Sequence, residues 1–160
     1  MPSRRAMLSA LAAGTVGAVA GCNEPMTATG YVQVKAVNGR RNGTTRDVIQ
    51  VQLGDPESKG VIDGFVRDRW ADRFEDPKRP TVSATLHEDL ESYYEAVTYI
   101  VGVCSDDWPD SYCNNVSADR EDFNQVQVYD RVRAAMEDSD IEIYGVEGTW
   151  TFPPERTTGE

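Results

Sequence analysis

The 160-residue chain contains one histidine, three cysteines and three lysines. Three cysteines and one histidine are too few soft ligands for a zinc-finger-type domain. A Ser-His-Asp or Cys-His arrangement would have to be built on His87, and a lone helical histidine is ordinarily a surface or half-buried residue. There is no Gly-rich phosphate loop, no Gly-x-Ser-x-Gly elbow and no His-Glu-x-x-His. Positive charge is also short: 16 basic against 27 acidic side chains leave a net charge of -11. That balance excludes a surface built to neutralise nucleic-acid phosphates or to lie on anionic headgroups by charge alone. The length suits one domain with a modest core and leaves no room for a two-lobed substrate-binding protein.

What is present begins at the N-terminus. Arg4 and Arg5 form a basic region, Ala6 to Ala20 is uncharged and rich in Ala and Gly, and Val19-Ala20-Gly21-Cys22 ends in small residues. A span of about 20 strongly apolar residues is needed to cross a bilayer, so this segment is an address and not part of the fold. Ser3-Arg4-Arg5-Ala6-Met7-Leu8 resembles the twin-arginine export motif, and Val19 to Cys22 resembles a lipobox. The resemblance implies passage through the twin-arginine export machinery in the folded state and cleavage before Cys22. A lipid on Cys22 would then hold the protein at the extracellular face of the cell membrane, where two acyl chains suffice for stable anchoring.

The segment lost with the signal carries two Arg and no acid, which leaves 14 basic and 27 acidic residues, a net of -13, on the mature chain. Arg outnumbers Lys by 13 to 3 over the whole chain, and the mature part holds 16 Val but only 3 Leu. This composition resembles that of haloarchaeal twin-arginine lipoproteins. The physics agrees: at 1 M salt the Debye length is about 3 Å, which screens self-repulsion of this size. An ordinary acidic secreted protein is the plainer alternative.

With Cys22 assigned to lipid, Cys104 and Cys113 remain and are expected to form a structural disulfide outside the reducing cytosol. Asn42-Gly43-Thr44 and Asn115-Val116-Ser117 are sequons, which makes Asn42 and Asn115 candidate glycosylation sites. Asp106, Asp107 and Asp110 lie in the loop that the cysteine pair closes, with Trp108 and Tyr112 interleaved. Those carboxylates are a candidate calcium site, although their spacing matches no EF-hand and a solvated halophilic surface would look the same. The two aromatics fit either a recognition patch or the rim of the core.

The pattern predicts a domain over 31–152, preceded by a linker at 22–30 and followed by a polar tail at 153–160. Alternation over Tyr31–Val37 and Val48–Leu53 predicts a hairpin. Ile62, Val66, Trp70 and Phe74 recur every fourth residue and predict an amphipathic helix over 59–74, which Gly64 weakens. A second helix is predicted from the N-cap Ser83. Glu95–Cys104 reads as a central strand, and 124–136 fits either strand or helix, with its valines favouring strand. Ile141–Phe152 reads as a last strand with a bulge at Tyr144-Gly145. The predicted fold is α+β, a mainly antiparallel twisted sheet of about five strands with two helices; a small β-barrel with an added helix is the alternative. The expected function is an extracellular, lipid-anchored binding or interaction module for an envelope protein or polymer. A small carboxylate-based, metal-assisted hydrolase is the alternative.

Overall fold

The computed structural model describes residues 27–53, 62–104, 113–137 and 139–149. Its first strand, β1 (Thr27–Arg41), turns into β2 (Thr44–Leu53) through Asn42 and Gly43 alone. Their φ angles of 52° and 72° place both in the left-handed region, which a two-residue hairpin of this hand requires and which Asn and Gly tolerate best. β3 (Ile62–Val66), a 3-10 helix (Asp68–Arg73), α1 (Ala84–Tyr93), β4 (Ala96–Cys104), β5 (Cys113–Ala118), α2 (Arg120–Gln125), β6 (Asp130–Glu137) and β7 (Asp140–Thr149) follow.

The strands form one sheet in the order β3-β2-β1-β4-β5-β7-β6, and β6 pairs back onto β1. Five strands, β1-β4-β5-β7-β6, therefore close into a barrel, and the expected open twisted sheet is corrected to its alternative, a small barrel with added helices. Closure depends on β1, which at 15 residues is long enough to use one edge twice. Thr27–Tyr31 pairs with β6, Val34–Arg41 pairs with β2, and Tyr31–Arg40 pairs with β4 on the opposite edge. Residues 27–30, expected in the linker, are the segment that closes the barrel. Every pairing is antiparallel except β5 with β7, which meet in parallel at Ser117 and Asp140.

Three other expectations change. Ile62 and Val66 lie in β3 and Trp70 in the 3-10 helix, so the described part of 59–74 is a strand followed by a short 3-10 helix and not one amphipathic α-helix. A spacing of four residues keeps side chains on one strand face as well as on one helix face. Gly64 lies against the β2 backbone, where a Cβ would collide with the Gln50 carbonyl oxygen. Within 124–136 the strand begins only at Asp130, after α2 and a turn. β5, unforeseen, places Asn114 and Asn115 opposite β4. The helix begun by Ser83 forms as expected, its hydroxyl accepting from the Leu86 N–H at 3.1 Å. The bulge in β7 also forms: Arg133 opposes Gly145 and Ala134 opposes Ile143, with Tyr144 between.

A second bulge shapes the interior. Val32 pairs with Val103 and Val34 with Gly102, so Gln33 is the extra residue. The bulge reverses the alternation, and directly opposed residues share a face. Val32, Lys35 and Val37 consequently lie with Val103, Val101 and Tyr99, while Val34 and Ala36 lie on the other face with Gly102 and Ile100. Leu86, Leu90, Trp70, Phe74 and Phe123 join the inward valines in one core.

Candidate functional site

Where β1 turns into β2, a cleft of about 260 Å³ is lined by Gly39, Arg41, Asn42, Thr44, Arg46, Arg67, Tyr93 and Tyr94. The hairpin supplies one wall, the residue after β3 another, and the end of α1 the third. Gly39 opposes Arg46 in the β1–β2 register. A Cβ on Gly39 would fall 2.5 Å from the ring of Tyr94, so glycine is what lets that ring settle against the strand. The Trp70 indole N–H donates to the Tyr94 hydroxyl at 3.2 Å, and Tyr93 packs edge-on against both Tyr94 and Trp70.

The charges around these rings set the cleft's chemistry. The guanidiniums of Arg41 and Arg69 each lie 4.1 Å from the centre of the Tyr93 ring, a cation–π arrangement that holds long side chains in place. Arg67 donates from Nε to the Asp47 carbonyl at 3.0 Å. The nearby carboxylate of Glu95 accepts from the Asn42 N–H at 2.9 Å. Among the described residues the ion pairs are Arg73 with Asp89, His87 with Glu91 and Arg133 with Glu147. None involves Arg41, Arg46 or Arg67. In a chain of net charge -11, three arginines thus line one concavity, and among the described residues none of them is ion-paired with a carboxylate. A second cleft of about 250 Å³ beside β3 carries only Asp63 and Lys78 as charged lining, next to the half-exposed Phe65.

The barrel interior holds a different cation. Lys35 is fully buried, and its ammonium donates to the carbonyls of Pro80 and Val126 at 2.7 Å each and to Gln127 Oε1 at 3.2 Å. Nζ also lies 4.1 Å from the centre of the Phe123 ring. Three acceptors match the three N–H bonds of an ammonium. Burial nonetheless pushes the pKa down to about 7, opposed by the charge of Asp130 and aided by Arg79. Val126 and Gln127 belong to the turn before β6, where Tyr129 is held at a φ of 81°, and Pro80 to the segment before α1. Asp130 fastens that turn by accepting from the Gln127 N–H at 2.7 Å.

His87 is half-buried beside the barrel, its Nδ1 2.6 Å from the Tyr99 hydroxyl. Burial pushes the Tyr99 pKa up to about 12, so the phenol keeps its proton. Nε2 lies 3.4 Å from Glu91 Oε1. Asp122 has its pKa raised, by burial first. It lies outside the cleft, with Oδ2 accepting from the Ile143 N–H at 3.2 Å.

Of the described residues singled out in the sequence, Asn42 lines the cleft and His87, Cys104, Cys113 and Asn115 do not. Cys104 and Cys113 are joined in a disulfide across directly opposed positions of β4 and β5. Asn42 is exposed at the hairpin tip, on the rim of the cleft, and Asn115 is exposed on β5. Arg4, Arg5, Cys22, Asp106, Asp107 and Asp110 lie outside the described residues, as do Trp108 and Tyr112. Among the described residues no group of three or more His, Cys, Asp or Glu could hold a metal ion, and no helix is long and apolar enough to cross a membrane. The cleft itself escaped the sequence reading. The Asn42-Gly43 turn, with Arg41 before it and Arg46 after it, is a signal for part of it. Nothing local points to Arg67, Tyr93 or Tyr94 as neighbours. No family model, curated protein or solved structure matches this chain.

Proposed function

We propose that this protein is a binding module held at the extracellular face of the cell membrane by a lipid on Cys22 after twin-arginine export, and that the arginine-tyrosine cleft is its surface for an anionic envelope partner. The cleft carries the proposal: three arginines, none of them ion-paired with a carboxylate among the described residues, line one concavity in a chain that is otherwise strongly acidic. Elsewhere, acidic side chains keep such a protein solvated and repel other polyanions. Arg41 and Arg46 are exposed and so open to direct contact with an anion. Recognition also has to work in high salt, where only direct contact counts, and guanidinium forks make charge-assisted, paired hydrogen bonds of that kind. A glycan on Asn42 would stand at the mouth of this cleft.

Two measurements test the two halves. Cys22→Ser should move the mature protein from membranes to the medium, and continued membrane association would sink the anchor. The released protein should be retained on washed cell envelopes at high salt. Retention unchanged in an Arg41→Ser, Arg46→Ser double variant would remove the cleft from the binding role.

A further inference from the structure

We infer that the group seated in the cleft is a phosphate monoester, read as a tetrahedral dianion by Arg41, Arg46 and Arg67. The inference rests on the cleft being the binding surface and names what that surface recognises. The three arginines that line the cleft come from separate elements, the end of β1, the start of β2 and the segment after β3. A carboxylate is planar and is satisfied by a single fork in its own plane. A phosphate monoester offers three terminal oxygens in different directions and carries about -1.5 to -2 charge near neutral pH, which suits three donors arranged around it. Two arginines are held before a ligand arrives: Arg41 against the Tyr93 ring and Arg67 through Nε on the Asp47 carbonyl. Less conformational entropy is then lost on binding. The Tyr93 ring already carries two guanidiniums, so the tyrosines hold the arginines rather than offer a stacking face, and the ligand is gripped by its oxyanion. The net charge of -11 disfavours a nucleic-acid strand, whose further phosphates would meet a repelling surface. A single or terminal phosphate incurs no such penalty.

Calorimetry on the mature Cys22→Ser protein, at one fixed high ionic strength, decides the matter with three probes: inorganic phosphate, glycerol 3-phosphate and glucuronate. Both phosphates should bind at pH 7.5, and glucuronate should bind about tenfold more weakly or not at all, the loss expected from one charge-assisted contact. A tighter ester than free phosphate would show that the site reads the attached carbon as well; equal affinity would show that it reads the phosphate alone. At pH 5 affinity should fall several-fold, because the monoester's second pKa is about 6 while arginine keeps its charge. Arg46→Ser should cost about tenfold and Arg46→Lys should restore only part of it, since a point charge replaces a fork. Arg131→Ser, outside the cleft, should change nothing. Glucuronate binding as tightly as phosphate, or full rescue by Arg46→Lys, overturns the phosphate reading. Envelope retention that depends on Arg46 while neither phosphate binds overturns it too, and leaves the cleft as the binding surface. If neither retention nor calorimetry responds to Arg46→Ser, the function proposed for the cleft fails as well.

Discussion

Lys35 shows how much one residue can depend on its neighbours. It is one of only three lysines and sits in a strand whose alternation would turn it outward, yet the bulge at Gln33 carries it inside. An unpaired buried ammonium would be prohibitive, so the Pro80, Val126 and Gln127 acceptors are a condition of the fold. The proton count sets the pH dependence. Between the folded pKa of about 7 and the ordinary lysine value, the unfolded chain binds a proton that the folded chain does not, so stability rises with pH. Below about 7 both states hold the proton and Lys35 adds no slope. The denaturation midpoint should therefore climb from pH 7 to 9. Lys35→Met should flatten that climb and Lys78→Met should keep it; a climb surviving in Lys35→Met would assign it to other groups. The net stability change in Lys35→Met at pH 7 should stay small, because relief of desolvation is offset by roughly 1 to 3 kcal/mol for each carbonyl left without a partner.

Among the elements, β5 is the least supported strand of the barrel. It pairs with β4 over six residue pairs but meets β7 at one, helped by a Ser117 N–H to Ser139 carbonyl bond of 3.1 Å. The Cys104–Cys113 disulfide joins β5 to its better-paired neighbour β4 and so holds the strand from the side opposite the thin β7 seam. Replacing both cysteines with Ser should lower stability by about 2 to 3 kcal/mol through the unfolded-chain entropy of a small loop. Hydrogen exchange should show the loss concentrated at 113–118; a uniform loss over all strands would contradict this view of the seam. The cysteine pairing was legible from the sequence on the expectation that Cys22 carries lipid, which leaves Cys104 and Cys113 as the pair. β5 itself was not, since Cys113-Asn114-Asn115-Val116-Ser117-Ala118 has one large apolar residue and looks like a turn until β4 is placed beside it.

At the level of the whole molecule, charge and closure act against each other. The chain's net charge of -11 works to expand a barrel held by a short β5–β7 seam. Salt relieves this: the Debye length falls from about 10 Å at 0.1 M to about 3 Å at 1 M. The urea midpoint should accordingly rise steeply with KCl over that range and flatten above it. A midpoint insensitive to KCl would mean that the acidic surface is not limiting and that the acidic composition reflects solubility alone.

The sequence by itself determined the local matters: the Asn-Gly hairpin, the Ser83 cap, the inner strand β4, the bulge at Tyr144 and the pairing of Cys104 with Cys113. Each depends on residues close together in the chain, where dihedral preference and alternation suffice. Tertiary structure alone decided that Thr27–Tyr31 would find β6, that a bulge would bury Lys35, and that Arg41, Arg46 and Arg67 would share one cleft with Tyr93 and Tyr94. These depend on register and on contacts between segments far apart in sequence. A shift of one residue reverses every face of a strand, and no local pattern records it.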